Sequence, residues 1–201
     1  MESCSDYARR KIEKNRGASG GSDVFMSAAR DFGKILAREN VELIYGAGSV
    51  GLMGALADGV LENGGSVTGV VPRQFSREVV HQNLTRIIYT NSMGERKKIM
   101  LELADANVAL AGGFGTLDEI SEALVLLQLG ASNSPCGFLN TNGFYDKLFD
   151  FFKNVRKENF LSEIHFDMAL KDENPKRLLE KLSSYKRPEE KLYWDNFQKI
   201  K

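Results

Sequence analysis

The amino-acid sequence predicts an α/β protein built on a Rossmann-like parallel sheet with helices on both faces, its first strand apparently degenerate or missing. Three observations point there. Short runs that are apolar throughout suit strands buried on both sides, as at Val41 to Tyr45 and Val67 to Val71. Segments with helical periodicity alternate with those runs. Glycine clusters stand where a strand gives way to a helix, the edge at which such sheets bind ligands.

Taken in order, Met1 to Arg16 is polar and charged, and Arg10-Lys11-Ile12-Glu13-Lys14-Asn15-Arg16 does not suit a strand buried on both faces. Phe25, Ala28, Phe32, Ile35 and Leu36 form the first helical stripe. Val41 to Tyr45 is the next strand, followed by a stripe of Leu52, Leu56, Val60 and Leu61. Strands are then expected at Val67 to Val71, Ile87 to Tyr89, Val108 to Leu110 and Gly137 to Leu139, with a third stripe at Ile120, Ala123, Leu124 and Leu127. A last helix is expected around Leu178 to Leu182, ahead of a charged tail, about 184–201, that contains Tyr193, Trp194 and Phe197.

No repeat or low-complexity tract divides the 201 residues, so residues 1–201 are expected to form one domain. The 27 basic and 27 acidic residues cancel, which argues against a field that would draw the chain to nucleic acid or an anionic membrane. Cys4 and Cys136 lack CxxC spacing, and His81 and His165 stand far apart, so neither a disulfide framework nor a metal site is expected. Without an apolar leader or span, the expectation is a cytoplasmic protein.

Gly46-Ala47-Gly48-Ser49-Val50-Gly51 follows one strand and opens a helix, where free N–H groups and the helix dipole favour an anion. A nicotinamide dinucleotide would also require an acid at the end of the next strand, which instead reads Gly69-Val70-Val71-Pro72. A mononucleotide fits better; a purely structural turn is the alternative. Gly112-Gly113-Phe114-Gly115-Thr116-Leu117-Asp118-Glu119 is the stronger signal. Its glycines expose backbone to phosphate oxygens and Thr116 adds a hydroxyl, while the lysine of a nucleoside-triphosphate-binding loop is lacking. Asp118 suits a residue that complements the helix dipole, whereas Glu119 is placed to act on a ligand held by its neighbours. Glu122 lies one turn further. Ser92 and Glu95 have capping-box spacing, and Arg96 behind them can orient a phosphate or ribose through paired donors. Lys98 suits a solvated face.

These three motifs, in this order, resemble the LONELY GUY (LOG) family of cytokinin riboside 5'-monophosphate phosphoribohydrolases, often labelled possible lysine decarboxylases. The resemblance rests on Tyr45-Gly46-Ala47-Gly48 through Leu52-Met53-Gly54, on Met93-Gly94-Glu95-Arg96-Lys97, on Gly112 through Glu119, and on Gln128-Leu129-Gly130. It extends from about residue 17 to about 161. The resemblance implies a homodimer that hydrolyses the N-glycosidic bond of a nucleoside 5'-monophosphate without a cofactor. It implies Arg96 and Glu119 as the catalytic pair, and Ser19, Gly46, Gly48, Met93, Lys97, Gly112, Gly113, Gly115, Thr116 and Glu122 around the substrate. No lysine here is marked for a pyridoxal Schiff base, so the decarboxylase label finds no support. Alternatives are a general AMP or purine nucleotide nucleosidase, a catalytically impaired nucleotide-binding paralogue, and a carrier like the molybdenum-cofactor carrier proteins. The chain departs from the family pattern in its polar first strand, in Ala47 for Gly, in Ala111 for Pro and in Gly94 for His.

Overall fold

The computed structural model describes residues 11–14, 20–75 and 79–188. Ser19 and the aromatic part of the C-terminal tail lie outside them.

Among the described residues a seven-stranded, fully parallel sheet has the order β4-β3-β2-β1-β5-β6-β7. The strands are β1 Lys11–Lys14, β2 Glu42–Tyr45, β3 Val67–Pro72, β4 Arg86–Thr90, β5 Ala106–Ala109, β6 Cys136–Leu139 and β7 Ala169–Asp172. The helices are α1 Asp23–Arg38, α2 Gly51–Leu61, α3 Met93–Leu103, α4 Phe114–Gln128, α5 Asp146–Lys157, α6 Glu163–Asp167 and α7 Pro175–Ser184.

Of the expectation that the first strand is degenerate or missing, the second half is corrected. The strand's sequence is polar, yet β1 is present and interior: Ile12 registers with Leu43 of β2 on one side and with Ala106 of β5 on the other. Ladder bonds are made by backbone N–H and C=O groups, which every residue of this proline-free segment supplies. The sheet therefore has no gap between β2 and β5. β7 was not foreseen either, since Ala-Leu-Lys-Asp carries no apolar run; it forms an edge strand whose residues are only half-buried.

Alternation along each strand sorts the core into two layers. Leu43, Tyr45, Val67, Val108 and Leu139 face α1, α2 and α7, where Phe32, Leu36, Leu52, Leu56, Leu178 and Leu182 complete one cluster. On the other face, Ala109, Cys136 and Phe138 meet Ile120, Ala123 and Leu127 of α4 and Phe149 of α5. Ile44 and Val70 meet Met100 of α3 on that same face. All three expected helical stripes thus lie against the sheet, and the alternation is that of a doubly wound, Rossmann-like fold. Among the described residues no helix is long and apolar enough to cross a membrane.

The expected last helix, α7, is fixed by charge as well as by its leucines. Asp172 at the end of β7 accepts hydrogen bonds from Arg177 Nη2 (3.0 Å) and Asn174 N–H (2.8 Å) and pairs with Lys181 Nζ (2.9 Å). Burial pushes the Asp172 carboxyl up, but these partners prevail and hold it well below the usual carboxylate range. A depressed folded-state value means that the stabilisation is present above the unfolded value of about 3.9 and is lost as pH falls through the folded-state value. Asp172→Asn is therefore expected to cost about 1–2 kcal/mol at pH 7. Urea melts of the two proteins should converge as pH drops below about 4; a gap that stays constant would exclude this carboxylate as the cause.

Candidate active site

The chain leaves β1 towards β2 in one direction and returns to place β5 on its other side, so the crevice at the carboxyl ends of β1 and β5 is the topological switch point. Three glycine-bearing turns converge there. Gly46 follows β2, Gly112 and Gly113 follow β5, and Gly20 and Gly21 precede α1. Between the last two lies a cleft of about 240 Å³ walled by Phe25, Leu52 and Phe144.

The first turn is held by a strap from the β3–β4 connection. Gly48 bridges to Val80, Ser49 N–H donates to the Val79 carbonyl at 3.0 Å, and His81 N–H donates to the Ala47 carbonyl at 2.9 Å. His81 Nδ1 accepts the Asn83 N–H (3.3 Å), so Nε2 carries the proton towards Asp58 Oδ1 of α2 at 3.0 Å. Ala47 has a left-handed φ of +62°, which costs an alanine about 1 kcal/mol. Its methyl group is buried against Val71 and Val80, which offsets that cost. The departure from glycine at position 47 is accommodated.

The second turn opens α4 at Phe114 without a side-chain cap, whereas Ser22, Ser92, Ser162 and Asn174 cap α1, α3, α6 and α7. A Cβ added to Gly113 or to Gly115 would meet nothing within 4 Å, and neither residue has a positive φ. Neither packing nor backbone geometry asks for glycine at these two positions. Thr116, in the first helical turn, is fully buried.

Arg96 comes to this edge from α3. Ser92 Oγ accepts the Glu95 N–H at 3.1 Å, while the Glu95 carboxylate accepts the N–H of Asn91 at 2.6 Å, one residue short of the capping-box partner. So anchored, α3 sends a fully buried Arg96 inward, where Nε donates to the Val70 carbonyl (3.1 Å) and Nη1 to Glu119 Oε1 (2.6 Å). Glu119 is 6% exposed. Two buried charges persist in such a place only because each compensates the other. Arg96 Nη2 has no hydrogen-bond partner among the described residues, and it lies so close to Gly46 that a Cβ there would stand 1.9 Å from it. An unsatisfied buried guanidinium nitrogen is costly, and a ligand oxygen would relieve it. Beside this pair, Lys97 Nζ lies 3.0 Å from Asp118 and 2.7 Å from Glu122. The neighbouring Glu122 carboxylate and then Asp118, to which Lys97 donates a hydrogen bond, push its pKa up.

The structure thus brings Arg96, Glu119 and Gly46 into contact, with Lys97 and Glu122 paired beside them and Gly112, Gly113, Gly115 and Thr116 in the adjoining turn. Gly48 faces the Met53 side chain, and Met93 is a partly exposed first residue of α3. Sequence reasoning missed two supports. Tyr145 Oη donates to the Leu110 carbonyl at 2.6 Å, pinning the end of β5 just ahead of the glycine turn. The Asp58–His81 pair pins the strap over the first turn. Both join residues far apart in sequence, and neither has a local signature.

Comparison with known proteins decides the relationship. The family model described as "possible lysine decarboxylase" matches residues 53–182. A cytokinin riboside 5'-monophosphate phosphoribohydrolase of Arabidopsis thaliana is 35% identical over 184 residues, covering 89% of this chain and 86% of the relative. The chain belongs to the LOG family. A bacterial member, the cytokinin riboside 5'-monophosphate phosphoribohydrolase of Rhodococcoides fascians, is 40% identical over 136 residues, 67% of this chain and 69% of that protein. Among solved structures, the molybdenum cofactor carrier protein of Chlamydomonas reinhardtii superposes with a TM-score of 0.68 at 20% identity, covering 88% of this chain and 99% of the carrier. At that identity the likeness speaks to the fold alone.

Proposed function

We propose that this LOG-family chain hydrolyses the N-glycosidic bond of N6-modified adenine riboside 5'-monophosphates, releasing the free cytokinin base and ribose 5-phosphate. The observation that carries the proposal is the buried Arg96–Glu119 pair, with a donor of Arg96 left open beneath Gly46, next to a turn whose Gly113 and Gly115 the fold itself does not require.

The nucleotide phosphate sits at the head of α4, against the backbone of Gly113 and Gly115 and the Thr116 hydroxyl, where helix N–H groups favour an anion. Gly46 and Gly48 flank the nucleotide from the first turn. Cleavage of the C1'–N bond leaves the electron pair on the base and positive charge on the ribose ring. Glu119 stabilises that charge and orients the water whose oxygen bonds to C1', while the water's proton passes to the departing base. Arg96 holds Glu119 in place through Nη1 and turns its second donor to the nucleotide.

The pairing of β1 with both β2 and β5 supports a working enzyme over an impaired paralogue, because a lost strand would have left those two strands unpaired on that side. Decarboxylation is disfavoured at Lys97, since an amine held charged by two carboxylates is a poor Schiff-base nucleophile. We take the working unit to be a homodimer; light scattering giving the mass of one chain would refute that.

The test is to incubate the protein separately with AMP and with isopentenyladenosine 5'-monophosphate and to chromatograph for free base. Release from the isoprenylated nucleotide is expected. Release mainly from AMP would make the chain a general nucleotide nucleosidase, and release from neither would overturn the proposal.

A further inference from the structure

Arg96 and Lys97 are consecutive on α3, and Asp118 and Glu119 are consecutive on α4. They pair as two adjacent rungs: Arg96 with Glu119 at 2.6 Å inside, Lys97 with Asp118 at 3.0 Å outside. Lys97 also reaches Glu122 at 2.7 Å, one helical turn beyond Asp118 on the same face of α4. One ammonium thus grips two carboxylates four residues apart, which restrains both the position of α4 along its axis and its rotation.

Apolar packing joins the two helices at Leu101 of α3, which lies against the α4 cluster one turn beyond Lys97 and so further from the helix heads. Met100 ties α3 to Ile44 and Val70 of β2 and β3, whereas Ile120, Ala123 and Leu127 tie α4 to β5 and β6. The heads of the two helices, which carry the inner pair, are joined by the charged rungs. Lys97 is also badly placed to bind the substrate phosphate. Two carboxylates already occupy it, and the three groups together carry a net negative charge that repels a phosphate dianion.

We propose that Lys97, held between Asp118 and Glu122, is a positioning residue that fixes the first turn of α4 so that Glu119 and Arg96 keep their geometry. This rests on the hydrolytic activity proposed above and adds to it a role for the outer rung. The misplacement released by breaking the rung acts on the reacting geometry and so on kcat, because small displacements of catalytic groups are expensive in rate. Substrate affinity stays with the glycine turns.

The experiment compares Lys97→Met, Lys97→Arg and the double variant Asp118→Asn/Glu122→Gln with wild type in steady-state base release. Hydrogen–deuterium exchange at the head of α4 is measured alongside, where Leu117 N–H bonds to the Gly113 carbonyl. Lys97→Met and the double variant are expected to lose about 10- to 100-fold in kcat with KM within about threefold, and to exchange faster at that turn. Lys97→Arg should recover most of the rate. A raised KM with unchanged kcat would make Lys97 a substrate ligand and overturn the proposal, as would no change at all. Should Lys97→Met fail to fold, the double variant, which retains the lysine, carries the same comparison. If wild type releases no base, the hydrolytic proposal falls by itself, and the exchange data decide the rung: unaltered protection at the head of α4 overturns it.

Discussion

Glu119→Gln is expected to lower kcat for base release by about 10³-fold or more while the protein still binds nucleotide. The substitution keeps size and the capacity to accept a hydrogen bond from Arg96 Nη1, now at 2.6 Å from a carboxylate oxygen, but removes the charge. Only the charge can meet a ribose cation in the transition state, so the loss should fall on kcat, with KM changed little. A thousandfold loss corresponds to about 4 kcal/mol of transition-state stabilisation, within the range of a single preorganised electrostatic contact in a dry site. Arg96→Ala removes more: the counter-charge of a buried Glu119, the bond to the Val70 carbonyl and the donor beneath Gly46. It should abolish turnover and also weaken nucleotide binding, and it should destabilise the fold by about 3–5 kcal/mol, because an uncompensated carboxylate is left buried. Steady-state kinetics with binding by calorimetry separates the two variants. Turnover by Glu119→Gln within tenfold of wild type would remove Glu119 from the chemistry.

The parts of this site that were legible in the sequence are those encoded locally. A strand is recognisable when it is apolar on both faces, as β2, β3 and β5 are, and a ligand turn when glycines stand between such a strand and a helix. Arg96 and Glu119 could be singled out because each lies at a fixed offset within a motif. β1 was not legible: its backbone pairs on both sides, but Lys-Ile-Glu-Lys carries none of the apolar pattern by which an interior strand is recognised. Nor was the burial of Arg96 itself, since Met-Gly-Glu-Arg-Lys-Lys reads as one polar stretch and only the fold turns its arginine beneath the sheet edge. The supports were hidden for another reason. Tyr145 is 35 residues from the carbonyl it holds, and His81 is 23 from Asp58, so they become visible only when β6 and α2 are in place.

The other large effect belongs to glycines that no ligand explains. Helices α1 and α2 cross at Gly33 and Gly59, where a Cβ on Gly33 would stand 2.4 Å from the Leu56 carbonyl oxygen and one on Gly59 2.2 Å from the Arg30 carbonyl oxygen. The obstacles are backbone atoms of helices that are hydrogen-bonded internally and packed on the sheet, so they cannot yield as a side chain would. The helices must separate instead, opening the cluster of Phe32, Leu56 and Val60 and pulling Arg30 from Asp58, 3.2 Å away. Gly33→Ala and Gly59→Ala should each cost about 3 kcal/mol in urea denaturation, the upper part of the range for overpacking. Because both act on one crossing, the double variant should lose less than the sum. Gly94→Ala is the matched control. That position lies in α3 with only Ser92 Oγ, at 4.0 Å, near a new methyl, and helix propensity alone predicts a gain of about 0.5–1 kcal/mol. The crossing also reaches the site, because α2 opens from the Gly46–Gly51 turn and carries Asp58, the partner of His81 in the strap. Separation of the helices should therefore weaken nucleotide binding along with stability. Loss of stability with affinity intact would mean that the first turn is held by the strap alone and does not depend on how α2 is seated.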